Sequence, residues 1–152
     1  MRYWLMKSEP DVFGIQHLQK VPRQTTSWDG VRNYQVRNML RDEVQKGDLA
    51  FFYHSGCAVP GIAGIIKIVS AAHPDESAFD RKSDYFDAKS VRANPTWYSV
   101  DVAFHWRFDT LITLQQLRAE KALKTMVLLR RGNRLSITPV STAEWSHILD
   151  MA

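Results

Sequence analysis

The clearest pattern along the chain is the alternation from Trp97 to Phe108. Tyr98, Val100, Val102, Phe104 and Trp106 fall on one side, and Ser99, Asp101, His105 and Arg107 mostly on the other. A period of two over this length predicts a half-buried strand. Leu49 to Tyr53 and Ile62 to Val69 are nearly continuous apolar runs, which predict buried strands. Gly61 and Gly64 sit among apolar partners and predict a bend or a close backbone approach. A phosphate loop would need Gly-Lys-Ser or Gly-Lys-Thr at its end, and Gly61 is followed by Ile62.

Shorter signals supply the other elements. Arg2 to Lys7 predicts a first strand, broken by Ser8, Glu9 and Pro10. Ile15 to Lys20 predicts a short helix with Gly14 as its N-cap and Pro22 as its stop. Gln24 to Ser27 predicts a brief strand, Asp29-Gly30 a turn, and Tyr34 to Glu43 a second helix. Thr113 with Gln116 and Ser141 with Glu144 make capping boxes for helices over Leu114 to Glu120 and Thr142 to Leu149. Between them a basic turn feeds a last strand that stops at Pro139. Ala71 to Thr96 reads as one long irregular segment, a length that in a compact domain is usually functional or mobile. The mixed order predicts an α+β fold in one domain, with five to six strands curled into a barrel-like sheet and short helices at its rim.

Composition narrows the class. Hydrophobic residues at 45% and charged residues at 24% of 152 positions suit a soluble globular protein with one core. The net charge of +4 permits contact with a polyanion without requiring it. A single cysteine, Cys57, excludes an internal disulfide and fits a reducing compartment, so a cytoplasmic monomer is expected. No stretch approaches the roughly 18 apolar residues of a membrane helix. The five histidines lack HxH or HExxH spacing, so neither a metal nor a cofactor is expected.

Candidate chemistry concentrates in Thr25 to Asn38. Trp28 offers a flat face on which a nucleobase can stack, Asn33 offers an amide donor and acceptor pair, and Arg32 and Arg37 are candidates for phosphate contact. Trp28 reads equally as a core residue closing a strand-to-helix turn. Lys7-Ser8-Glu9-Pro10 and Phe51 to Gly56 also lie at strand ends, where a barrel presents side chains to a ligand. Arg130, Arg131 and Arg134 flank a Gly-Asn turn and either meet phosphate or pair with acidic loop residues. His54 and Ser55 are neighbours on an extended chain and point in opposite directions, a poor arrangement for nucleophilic catalysis.

The segments KSEP (7–10), TTSWDGVRNYQVRN (25–38), GDLAFFYHSG (47–56), PGIAGI (60–65), WYSVDV (97–102) and LLRRGNRLSI (128–137) followed by PVS resemble, in this order, the EVE domain of the PUA-like superfamily. The resemblance runs from about Tyr3 to Leu149. A more distant one is to the YTH domain, whose further cage aromatics match only Tyr53 or Trp97 here. The resemblance implies a PUA-like mixed β-barrel that binds DNA or RNA through a pocket for a modified base, either a methylated adenine or a modified cytosine. Carried onto this chain, Trp28 is the wall, Lys7 and Ser8 the floor, Asn33 an amide contact, and Tyr53, His54 and Ser55 the opposite side. The expected function is a non-catalytic reader. Two rivals remain: an enzyme acting on modified nucleotides through His54 with Asp29 or Glu9, and a small-molecule or protein-interaction module.

Overall fold

A computed structural model describes residues 1–152. Its strands are β1 (Tyr3–Ser8), β2 (Thr25–Ser27), β3 (Leu49–His54), β4 (Gly61–Ile68), β5 (His73–Pro74), β6 (Tyr98–Ser99), β7 (Asp101–Thr113) and β8 (Ile137–Val140). The α-helices are α1 (Pro10–Phe13), α2 (Ile15–Lys20), α3 (Tyr34–Asp42), α4 (Leu114–Ala119) and α5 (Thr142–Met151). Six strands form one sheet in the order β2-β7-β4-β3-β1-β8, and β5 and β6 form a separate pair. Only β1 and β3 run parallel; the other neighbours in the sheet are antiparallel. The sheet curls into a half-barrel, so the α+β expectation holds, with β2 and β8 left as edges.

Register explains the apolar runs. Trp4, Met6, Ala50 and Phe52 face a core shared with α2, α3 and Trp28, while Leu5, Phe51 and Tyr53 face a second core closed by α4 and α5. Strands covered on both faces must be apolar at successive positions. Gly64 lies between these layers: a Cβ there would overlap the Trp106 carbonyl and the Ile15 side chain. The close backbone approach expected at this glycine is therefore present.

The alternating strand departs from its expected course. Tyr98 and Ser99 turn away to pair with Pro74 and His73, so β7 begins at Asp101 and continues to Thr113. A register shift then sets Trp106 opposite Ile65 while Phe104 stays opposite Ile66. One extra residue reverses the facing of the positions beyond it, and Trp106 ends 61% exposed instead of joining Val102 in the core. The brief strand starts at Thr25 because Pro22–Gln24 form a 3-10 turn, in which Arg23 and Gln24 take positive φ. Segment 71–96 holds more structure than expected: β5, a 3-10 turn at Glu76–Phe79 and a bridge between Val91 and Asn94. Helix α1, with proline in its first turn, is an element that the apolar pattern does not predict.

Candidate nucleic-acid interface

A cavity of about 610 Å³ opens where the end of β1, helix α1, the Trp28 segment and the Tyr85 loop meet. Lys7, Ser8, Trp28 and Ser55, four of the expected pocket residues, line it. Strand pairing brings the two serines together. β1 lies alongside β3, and past their ends the Ser55 N–H donates to the Ser8 carbonyl at 3.0 Å. The Ser8 hydroxyl donates to the Phe13 carbonyl at 2.7 Å, which anchors α1 beside the cavity.

Trp28 is the core residue its sequence context allowed, and it also borders the cavity. Its backbone N–H donates to the Val100 carbonyl at 2.8 Å, and its indole packs edge-on against Phe52 with ring centroids 5.5 Å apart. That leaves 8% of the residue exposed, and the ring also lines the cavity. An indole held by the core loses little side-chain freedom when a flat ligand meets it.

Tyr85, which no sequence motif singled out, forms a second aromatic wall. Gly30 has φ +83°, and a Cβ on it would sit 2.6 Å from the Tyr85 ring, so the ring lies on a bare glycine backbone. The ring is fixed through its own main chain. Arg32 donates to the Tyr85 carbonyl from Nη2 at 2.6 Å and from Nε at 3.2 Å, and its guanidinium lies over the Tyr85 and Trp97 rings. Beneath it is Asp75, fully buried, which accepts from Gly30 N–H at 2.9 Å, Arg32 Nη1 at 3.0 Å, Ser77 N–H at 2.9 Å and the Ser77 hydroxyl at 2.6 Å. Burial alone raises the Asp75 pKa, but these donors outweigh it and hold the carboxyl below the usual aspartate range. An adjacent aromatic pair, Tyr85-Phe86, inside a polar and charged segment was the signal in the sequence.

Three expected pocket residues lie elsewhere. Asn33 is exposed and caps α3, its Oδ1 accepting from Val36 N–H at 3.0 Å. Tyr53 points to the second core, on the face of β3 opposite Phe52, because neighbours on a strand alternate. His54 uses Nε2 to accept the Ile15 N–H at 3.2 Å and fixes the start of α2. Burial, then Arg107 and His17, lower its pKa, in keeping with a neutral ring that accepts. It does not line the cavity, so it is not paired there with Asp29 or Glu9, both of which do.

The arginines divide in the same way. Arg32 is consumed by Asp75 and Tyr85, and Arg37 donates to the Thr96 carbonyl at 2.8 Å and lies over Tyr34. Both are braces, and their guanidiniums are not displayed to a phosphate. Arg130, Arg131 and Arg134 are exposed with no ion-pair or hydrogen-bond partner for their side chains, and Arg134 lines the cavity. Half-burial lowers the Lys7 pKa, while burial and then Asp75 raise that of Asp29. Each charge is held at a desolvation cost. No group of three or more histidine, cysteine or acidic side chains is arranged to hold a metal.

A curled mixed sheet with a partly polar cavity at its strand ends defines a PUA-like binding domain. The model of the EVE domain matches residues 2–151, and the chain belongs to that family. Thymocyte nuclear protein 1 of Homo sapiens is 45% identical over 166 residues, covering 98% of this chain and 73% of that protein. The crystal structure of human THYN1 protein in complex with 5-methylcytosine containing DNA superposes with a TM-score of 0.94 at 43% identity, covering 99% and 97% of the two chains. A Pseudomonas syringae protein of known structure gives a TM-score of 0.93 at 46% identity, with 98% of each chain covered.

Proposed function

We propose that the chain is a non-catalytic reader of DNA, taking an extruded modified base into the cavity between Trp28 and Tyr85 while Lys7, Arg130, Arg131 and Arg134 meet the flanking phosphates. The observation that carries this reading is a cavity lined by Trp28 and Tyr85 together with Arg134, whose side chain has no partner. The similar human protein's complex with 5-methylcytosine containing DNA supports a modified cytosine as the base. Stacking and hydrogen bonding fix a planar ring, and a weakened or modified pair is the cheapest to extrude. His54 gives no support to acid–base chemistry in the cavity, since its acceptor nitrogen serves Ile15.

The test is affinity for single strands with and without one 5-methylcytosine. Trp28→Ala removes about 1–3 kcal/mol of binding to the methylated strand if the indole stacks on the base. Trp28 also belongs to the core, so Trp28→Phe, which retains a ring against Phe52, is measured beside it with a thermal melt. Arg134→Ala weakens binding evenly across sequences and lowers the salt slope by about one. Affinity unchanged in a folded Trp28 variant refutes the stacking role, and equal wild-type affinity for the two strands refutes the reader.

A further inference from the structure

The two residues that flank Phe86 are both tied down, and Phe86 itself is held only by its main chain, its N–H donating to the Ser83 carbonyl at 3.2 Å. On one side the Tyr85 carbonyl takes two hydrogen bonds from Arg32. On the other, the Asp87 N–H donates to the Ala78 carbonyl at 3.0 Å and the Asp87 carboxylate accepts from the Trp97 indole N–H at 2.8 Å. Between these anchors Phe86 is 38% exposed, and its ring pairs with no other ring. Its neighbour Tyr85 lines the cavity, so Phe86 stands one residue, about 3.8 Å along the chain, from the cavity wall. A lone exposed apolar residue on a floppy loop would need no explanation. One presented on a braced turn beside a binding cavity is preorganised for contact.

The charges around it are mixed, the cations Arg81, Lys82 and Lys89 standing among Asp80, Asp84 and Asp87. Asp80 accepts from the Lys82 N–H and Asp87 from the Lys89 N–H, so these carboxylates serve their own turn. The Arg81, Lys82 and Lys89 side chains are exposed without ion-pair partners, whereas Arg92 is paired with Glu76. Extruding a base leaves a gap in the stack, and an apolar side chain that enters it keeps the neighbouring pairs from collapsing back. We infer that the segment Asp80–Asp87 is a finger that enters a DNA duplex beside the cavity, with the Phe86 ring filling the position vacated by the base that Trp28 and Tyr85 receive. This rests on the base-reading function above and adds a duplex as the partner and a residue that holds it open.

The experiment compares Phe86→Ala and Phe86→Leu with wild type on two probes, a duplex carrying one central 5-methylcytosine and its methylated single strand. Phe86→Ala weakens duplex binding about tenfold and single-strand binding less than about twofold, because only the duplex has a stack to fill. Phe86→Leu, which keeps an apolar wedge, recovers most of the loss. Equal weakening on both probes, or none on the duplex, overturns the finger. If wild type still prefers methylated to unmethylated single strand in that case, the cavity reading survives alone; if it shows no such preference, both fall together. A protein partner for Phe86 would leave both nucleic-acid affinities unchanged and so also overturns the proposal.

Discussion

Replacing Asp75 with asparagine isolates the charge on which the Tyr85 wall depends. The carboxylate presents each oxygen to two donors, Gly30 N–H and Arg32 on one side and Ser77 N–H and hydroxyl on the other. An amide of the same shape has one acceptor oxygen, so its NH2 must face one of these pairs. With NH2 toward Ser77 the hydroxyl can turn to accept, but the Ser77 N–H is left unpaired. With NH2 toward Gly30, the glycine N–H and Arg32 lose their acceptor together. An unsatisfied buried donor costs about 1–3 kcal/mol, and removing one member of a buried ion pair about 3–5 kcal/mol. Arg32 keeps 24% of its side chain in solvent and can turn toward water, so the lower part of that range applies, about 3 kcal/mol. For a chain of this length that lowers Tm by roughly 6–12 °C.

The pH dependence gives the same prediction a sign. Asp75 has a folded pKa below its unfolded value, so its contribution is fully present above the ordinary aspartate range, near 3.9, and disappears as pH falls through the depressed folded value. Thermal melts of wild type and Asp75→Asn by circular dichroism, from pH 7 down to pH 3 and below, should show a gap that is widest at neutral pH and closes in acid. A neutral-pH gap under about 3 °C, or one that persists unchanged once wild-type Asp75 is protonated, refutes the assignment of this carboxylate as the charged hub.

Two further variants separate structure from binding. Asn33→Ala removes the cap on Val36 N–H and should cost about 1 kcal/mol in chemical denaturation, while leaving affinity for a methylated oligonucleotide unchanged; a large binding defect without destabilisation would return Asn33 to the base contacts. Asp29→Asn runs opposite to Asp75→Asn: burial and then Asp75 raise the Asp29 pKa, so the folded state disfavours the charged form, and the penalty grows as pH climbs through the unfolded value. The variant should therefore melt higher than wild type at pH 7 and match it near pH 3, and a lower neutral-pH Tm would contradict the raised pKa.

Local patterns carried most of the fold. Period-two and continuous apolar runs located β3, β4 and β7, and the capping boxes at Thr113 and Ser141 form as written, each with both reciprocal hydrogen bonds. What local pattern misses is set by partners distant in sequence. The shift that turns Trp106 outward is a property of the β4–β7 pairing, and nothing within Trp97 to Phe108 marks it. Tyr53 is the instructive misassignment. Its place one residue after Phe52 already put it on the opposite face from Trp28, so the alternation rule, applied to the site as well as to the strand, would have removed it. Asn33 was similarly open to a capping role, being an N-cap residue type immediately before a predicted helix.

The arginines show why charge alone does not locate an interface. Within Thr25 to Asn38, Arg32 and Arg37 look as available as Arg130, Arg131 and Arg134, yet their acceptors arrive from Asp75, Tyr85 and Thr96, between 43 and 59 residues further along the chain. A guanidinium with five donors is drawn to such carbonyl and carboxylate clusters, and once satisfied it has little left for a phosphate. The unpartnered arginines consequently lie on the outer turn, while Arg32 shapes the cavity. Through Asp75, Gly30 and Arg32, the Trp28 segment and the Tyr85 segment are bonded to each other, although 53 residues separate Arg32 from Tyr85. The places of Trp28 and Tyr85 at the cavity therefore rest on one buried network whose hub is the Asp75 carboxylate.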